Sequence, residues 1–154
     1  YSTNAIIAPY KDGKSLQFRV ANKRMSMMME LEATVNLQFT ELKEGKYVRT
    51  YHRLNLELDR IIFFPLNWTL VHAIDEDSPL YGLTESKLKE KNTEILIYIK
   101  GFDDTFGQVV HSRYSYVADD FVWDVKFDIP YETQPSGDVI FYMDRLSEYS
   151  PAKL

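Results

Sequence analysis

The clearest pattern along the chain is a strict alternation at residues 30 to 39. Leu31, Ala33, Val35, Leu37 and Phe39 fall on one face, and Glu30, Glu32, Thr34, Asn36 and Gln38 on the other. This predicts a strand with one face in a core and a polar face turned to water or a partner. Leu16, Phe18 and Val20 alternate with Ser15, Gln17 and Arg19 in the same way, predicting a half-buried strand. A short extended segment at 4–10 leads into it through Lys11-Asp12-Gly13-Lys14, a turn in which Asp-Gly would supply the positive φ. Glu44-Gly45 reads as a hairpin connection into a strand at 46–58, with Leu54, Leu56 and Leu58 sharing a face. Ile61 to Phe64 is apolar on both faces until Pro65, which suits an edge or crossing segment better than a central strand.

From Trp68 to Ile74 an apolar run breaks into the acidic turn Asp75-Glu76-Asp77-Ser78-Pro79. Asp, Ser and Pro oppose a continued ladder, and Ser78 before Pro79 suits a short helical turn. Thr84 caps a short helix at 85–91, with Leu83 and Leu88 as its hydrophobic staple. Ile95, Ile97 and Ile99 form another buried face that Gly101 ends, and Gly101 to Gly107 is a turn-rich loop. A strand at 108–116 groups Val110, Tyr114 and Tyr116. Phe121, Trp123, Val125 and Phe127 mark one further strand, and Thr133 to Gly137 forms a hairpin loop before a last strand at 138–142. A helical turn at 144–149 and a frayed Pro-Ala-Lys-Leu tail close the chain. Short strands in close succession with little helix predict an all-β fold, an antiparallel β-sandwich with short helical turns.

Composition narrows the function classes. At 154 residues the chain reads as a single domain, 1–154. A net charge of -5 gives no support to nucleic-acid binding. With no cysteine there are no disulfides and no thiolate metal sites. The longest apolar run falls short of the roughly 20 residues that cross a bilayer. The chain starts at Tyr1, without methionine or a signal-peptide pattern, which suggests a soluble piece of something longer.

Candidate chemistry is sparse. His52, His72 and His111 lie on separate predicted strands without metal-ligand spacing, and read as hydrogen-bonded or surface residues. The pairs Asp103/Asp104 and Asp119/Asp120 offer acid–base groups, but neighbours on a strand point to opposite faces. Asp75, Glu76 and Asp77 lack the ligand spacing of a Ca²⁺ loop and read as a turn terminator. No metal or catalytic site is expected. Met25, Met27, Met28 and Met29 suit either an adaptable contact surface or ordinary packing.

Leu70-Val71-His72-Ala73-Ile74-Asp75-Glu76-Asp77-Ser78-Pro79-Leu80-Tyr81 resembles a signature of the cytoplasmic domain of inward-rectifier potassium channels. Phe18-Arg19-Val20-Ala21-Asn22-Lys23-Arg24, Asp59-Arg60, and Ser115-Tyr116 followed by Val122-Trp123 are similar to further stretches of that family, in the same order. Together they span most of the chain, and short loops without cysteine suit the prokaryotic branch.

The resemblance implies an immunoglobulin-like β-sandwich that assembles as a homotetramer and continues the family's transmembrane pore domain at the cytoplasmic face of the membrane. It implies no cofactor, potassium as the transported ion, and Mg²⁺ or polyamines as blockers. Glu30 and Asp59 match acids facing the pore. Gly101, Phe102, Asp103, Asp104 and Gly107 match a loop that constricts the cytoplasmic passage, with Phe102 and Gly107 toward the axis. Lys100 stands where many relatives carry an acid. Arg24 matches a membrane-proximal basic position, implying phosphoinositide or another anionic lipid as a partner. Two other classes remain open on the residues alone: a stand-alone β-sandwich binding module, monomeric with its own groove, and an enzyme, which needs converging polar groups.

Overall fold

A computed structural model describes residues 1–23 and 26–154. The strands are β1 (Ala5–Tyr10), β2 (Gly13–Val20), β3 (Met28–Lys43), β4 (Lys46–Leu54), β5 (Arg60–Phe63), β6 (Trp68–Ile74), β7 (Glu94–Asp103), β8 (Gln108–Val117), β9 (Phe121–Trp123), β10 (Val125–Phe127), β11 (Tyr131–Thr133), β12 (Val139–Phe141) and β13 (Tyr149–Pro151). One helix, α1 (Glu85–Glu90), lies between β6 and β7.

Two sheets share one core. The first runs β6-β2-β1-β9; the second runs β4-β3-β7-β8, with β5 also paired to β3. Ile7, Leu16, Phe18 and Leu70 of the first meet Leu31, Val35, Leu37, Ile95 and Ile97 of the second. Every one of these is nearly or wholly excluded from water, and that burial is what drives the sheets together. The alternation in β3 therefore predicts its inward face correctly, and the result is an all-β sandwich. Its pairings are antiparallel among the described residues, except that β9 joins β1 in parallel.

The first sheet is covered on both sides. Ile6 and Ala8 turn away from the main core to pack with Val125, Val122 and Phe127, so β1 reads as an unbroken apolar run rather than an alternation. Arg19 is affected likewise. The sequence places it on a wet face of β2, whereas it is buried, with Nη1 donating to the Leu146 carbonyl at 3.3 Å and Nη2 to the Asp128 carbonyl. Its guanidinium lies 4.3 Å from the Phe127 ring centre. Burial lowers its pKa to about 10, against the pull of nearby Asp128.

Turn chemistry accounts for other boundaries. Glu44 and Gly45 both take positive φ, 51° and 77°, as a two-residue hairpin requires. In the first hairpin, however, Lys11 rather than Gly13 carries the positive φ. Thr84 caps α1 by accepting the Lys87 N–H, and Leu83 and Leu88 both join the core. Residues 79–82 remain a turn without becoming helix.

Three expected elements differ. β4 stops at Leu54, so Leu58 is exposed instead of sharing its face. The strand expected through 121–127 is split at Asp124, whose φ of 58° sends β9 and β10 to different partners. The tail is paired at its start rather than frayed throughout: after a 3₁₀ turn at Met143–Arg145, β13 joins β10 through Pro151 and the Ala152 N–H reaches the Asp124 carbonyl, while Lys153 and Leu154 are exposed and outside any strand.

Candidate functional site

The candidate residues gather at one end of β3. Between Met29 and Glu32 the register against β7 slips, because Met29 pairs with Phe102 but Glu32 with Lys100. β3 thus holds one residue more than its partner, a bulge. Glu30 occupies it in the left-handed region, with φ 51° and an exposed side chain. Such a conformation costs a non-glycine residue on the order of 1 kcal/mol, which the flanking ladder offsets.

Across from the bulge is Gly101. A Cβ there would stand 3.1 Å from Leu31 Cγ and 3.2 Å from Met28 Cε. Glycine here permits a close approach rather than an unusual φ.

The acids differ in their surroundings. Glu32, on the outer face of β3, is paired with Arg60 at 3.2 Å and faces Lys100 in register. Among the described residues, Glu30 and Asp59 form no ion pair. Asp59 is exposed, and its carbonyl accepts the Ala33 N–H at 2.8 Å, holding it beside this end of β3. Two carboxylates without an ion pair among the described residues therefore stand near the bulge, while the third is paired locally. Arg24 and Met25 lie outside the described residues.

The glycine-bracketed segment is a tighter structure than the expected loop. Gly101, Phe102 and Asp103 continue β7, pairing with Val110, Val109 and Gln108, and only residues 104–107 turn. Gly107 closes the turn at φ 64°. Asp104 and Gly107 are exposed and Phe102 is half-buried. Asp103 is 1% exposed, and its Oδ1 accepts the N–H groups of Thr105 at 3.0 Å and Phe106 at 3.1 Å. It braces the turn from within and presents no charge to an aqueous path. Among the described residues its Oδ2 has no hydrogen-bond partner.

Sequence reasoning missed two residues here. Phe106, 67% exposed, is the aromatic side chain that the tip presents. Thr105 ties that tip sideways: its Oγ1 accepts the Met27 N–H at 3.0 Å, while the Asp104 N–H reaches the Met27 carbonyl at 2.9 Å. The available signal was Asp followed two residues later by Thr, a pattern in which the side chain folds back on the turn's N–H groups. A cavity of ≈ 360 Å³ is lined by Lys23 and Ser26 together with Gly101, Asp103 and His111.

Comparison with known proteins fits this arrangement. Residues 1–146 match the family described as the inward rectifier potassium channel C-terminal domain. The inward rectifier potassium channel Kirbac3.1 of Paramagnetospirillum magnetotacticum is 33% identical over 138 residues, covering 89% of this chain and 47% of that protein. Inward rectifier potassium channel 4 of Homo sapiens is 33% identical over 135 residues, covering 83% of this chain and 30% of that protein. The chain therefore spans about half or less of the length of these relatives. No helix among the described residues is long and apolar enough to cross a membrane. Channel domains are not enzymes, so the enzymatic alternative falls. A match running through β1 to the last 3₁₀ turn, and relatives from bacterium and human alike, place this chain in the inward rectifier potassium channel C-terminal domain family.

Proposed function

We propose that the chain is the pore-extending and gating part of a tetrameric inward-rectifier potassium channel, working at the cytoplasmic face of the membrane with its own transmembrane pore domain. The observation that carries this reading is the placement of Glu30 and Asp59: exposed, outside any ion pair among the described residues, and grouped at the end of β3 that carries the β7–β8 hairpin. Repeated four times about an axis, two such carboxylates per chain raise the local concentration of K⁺ and attract Mg²⁺ and polyamines. The hairpin, with Gly101, Phe102, Asp104 and Gly107, forms the narrow part of the passage, and Asp103 holds its shape from inside. Arg24 is assigned to anionic lipid, phosphoinositide included, as the membrane-proximal partner. No cofactor enters this function.

The test is block of the full-length channel in inside-out patches. Glu30→Gln and Asp59→Asn each weaken block by Mg²⁺ or spermine and reduce its voltage dependence. Unchanged block in both variants would remove these acids from the ion path.

A further inference from the structure

The backbone ladder between β3 and β7 ends at Met28 and Asp103. One step beyond it, the Asp104 N–H still reaches the Met27 carbonyl, at 2.9 Å. The reciprocal bond would need a carbonyl opposite the Met27 N–H, but the turn at 104–107 carries the backbone away from that position. The Thr105 hydroxyl takes the carbonyl's place and accepts that N–H at 3.0 Å.

Lys23 and Ser26 line a cavity of ≈ 360 Å³ together with Gly101, Asp103 and His111. Among the described residues leading into β3, Met27 is the one hydrogen-bonded to the tip, through one backbone and one side-chain bond. Asp103 fixes the shape of the turn by holding the Thr105 and Phe106 N–H groups, but both of those bonds are internal to the hairpin. The Thr105 bond is different in kind. It sets where a rigid turn stands relative to its neighbour, and with it the position of the exposed Phe106 ring.

We propose that Thr105 is a positioning residue for the constriction: its hydroxyl holds the hairpin tip back against Met27, keeping Phe106 clear of the ion path. This rests on the channel reading above. Release of the tip lets four Phe106 rings approach one another about the axis, and apolar rings in contact exclude the water that ions need.

Thr105→Val keeps the shape and removes the acceptor; Thr105→Ser keeps the acceptor. Two measurements on the full-length protein in lipid vesicles separate the outcomes. Hydrogen exchange of the Met27 amide speeds up about five-fold in Thr105→Val, the ratio set by one ordinary hydrogen bond, and returns to the parent rate in Thr105→Ser, with the β3 and β7 core amides unchanged in both. K⁺ flux into the vesicles falls about five-fold in Thr105→Val and is restored in Thr105→Ser, or in Thr105→Val combined with Phe106→Ala. Unchanged Met27 exchange overturns the latch, and unchanged or increased flux overturns its role in the passage. If the parent protein carries no K⁺ flux, the channel reading fails, and with it the role in the passage, while the exchange measurement still decides whether the latch exists.

Discussion

His72 Nε2 lies 2.7 Å from Ser78 Oγ, closing the acidic corner after β6 from the inside. The other ring nitrogen, Nδ1, is 2.7 Å from the Asn55 carbonyl. A carbonyl only accepts, so Nδ1 carries the proton, Nε2 accepts from the Ser78 hydroxyl, and that hydroxyl in turn accepts the Leu80 N–H at 3.1 Å. A neutral histidine thereby links the Asn55 carbonyl to the Ser78 hydroxyl, and that hydroxyl in turn holds the Leu80 N–H. Asp75 serves the same corner, its Oδ1 accepting the Asp77 N–H at 3.0 Å. The most recognisable string in the chain is thus a structural clasp, and the ion-facing chemistry is assigned elsewhere.

This clasp makes stability depend on pH. Burial lowers the His72 pKa below 6.5, against smaller upward pulls from the Asn55 hydrogen bond, Asp75 and Glu57. The unfolded chain therefore takes up a proton before the folded one does. The contribution is fully present above about pH 6.5 and is lost as pH falls through the folded value. Urea midpoints at pH 7.5 and pH 5.0 should differ in the parent, and the part of that difference due to His72 should vanish in His72→Phe. Ser78→Ala, which strands Nε2, should cost about 1–2 kcal/mol at pH 7.5. A parent and a His72→Phe variant with the same pH slope would contradict this assignment.

At Gly101 two effects oppose each other. Adding a methyl brings Cβ to 3.1 Å from Leu31 Cγ and 3.2 Å from Met28 Cε, both side-chain atoms able to yield a few tenths of an ångström. Against that crowding, alanine in a strand recovers roughly 0.5–1 kcal/mol of backbone entropy. Gly101→Ala should therefore lie within about 1 kcal/mol of the parent in chemical denaturation. Gly101→Val adds branches that Leu31 and Met28 have no room to receive, and should lose about 2 kcal/mol. Equal stability for the valine variant would show that the bulge at Glu30 relaxes freely.

The legible parts of this fold are those where one face is dry and the other wet. β3 and β7 show it: Leu31 to Phe39 and Ile95 to Ile99 alternate because only one side meets the core. Where a second layer covers the outer face, the alternation misleads, as with Arg19, whose polar partners are the carbonyls of Asp128 and Leu146, more than a hundred residues on. Asp124 gives no local warning that it takes a positive φ and divides one apolar run between two sheets. In the candidate site, Glu30 was readable as an acid on a polar face and Asp59 through the family resemblance, but the bulge under Glu30 depends on β7. The burial of Asp103 and the exposure of Phe106 follow from the hairpin's register, which no count along the chain reveals.

Arg19 offers a separate test of how the far end of the chain is held. Its guanidinium binds the Leu146 and Asp128 carbonyls and lies against Phe127, so it joins β2 to the segment carrying β10 and β13. Arg19→Ala strands buried carbonyls and opens a cavity, and should cost about 3–4 kcal/mol. Arg19→Lys retains the charge but not the planar fork, and should recover only part of that. The lesion should appear first as rapid proteolysis and hydrogen exchange within 125–151, with β3 and β7 still protected.

Lys100 decides how strong the negative field near the bulge can be. It faces Glu32 in register, and Glu32 is already paired with Arg60, so this row of the sheet is close to neutral and slightly basic. Lys100→Glu changes the local charge by two units per chain, and by eight around the proposed fourfold ring. Coulomb attraction for a divalent or polyamine blocker grows accordingly, while Glu30 and Asp59 keep their own surroundings. The full-length channel should then be blocked by spermine at a concentration at least about ten-fold lower, with steeper voltage dependence. The reversed charge also sets two carboxylates opposite each other on β3 and β7, costing roughly 0.5 kcal/mol of stability. Glu32→Gln in the same background should recover that cost and give back only part of the added block. Spermine block unchanged by Lys100→Glu would place this face of the sheet away from the ion path.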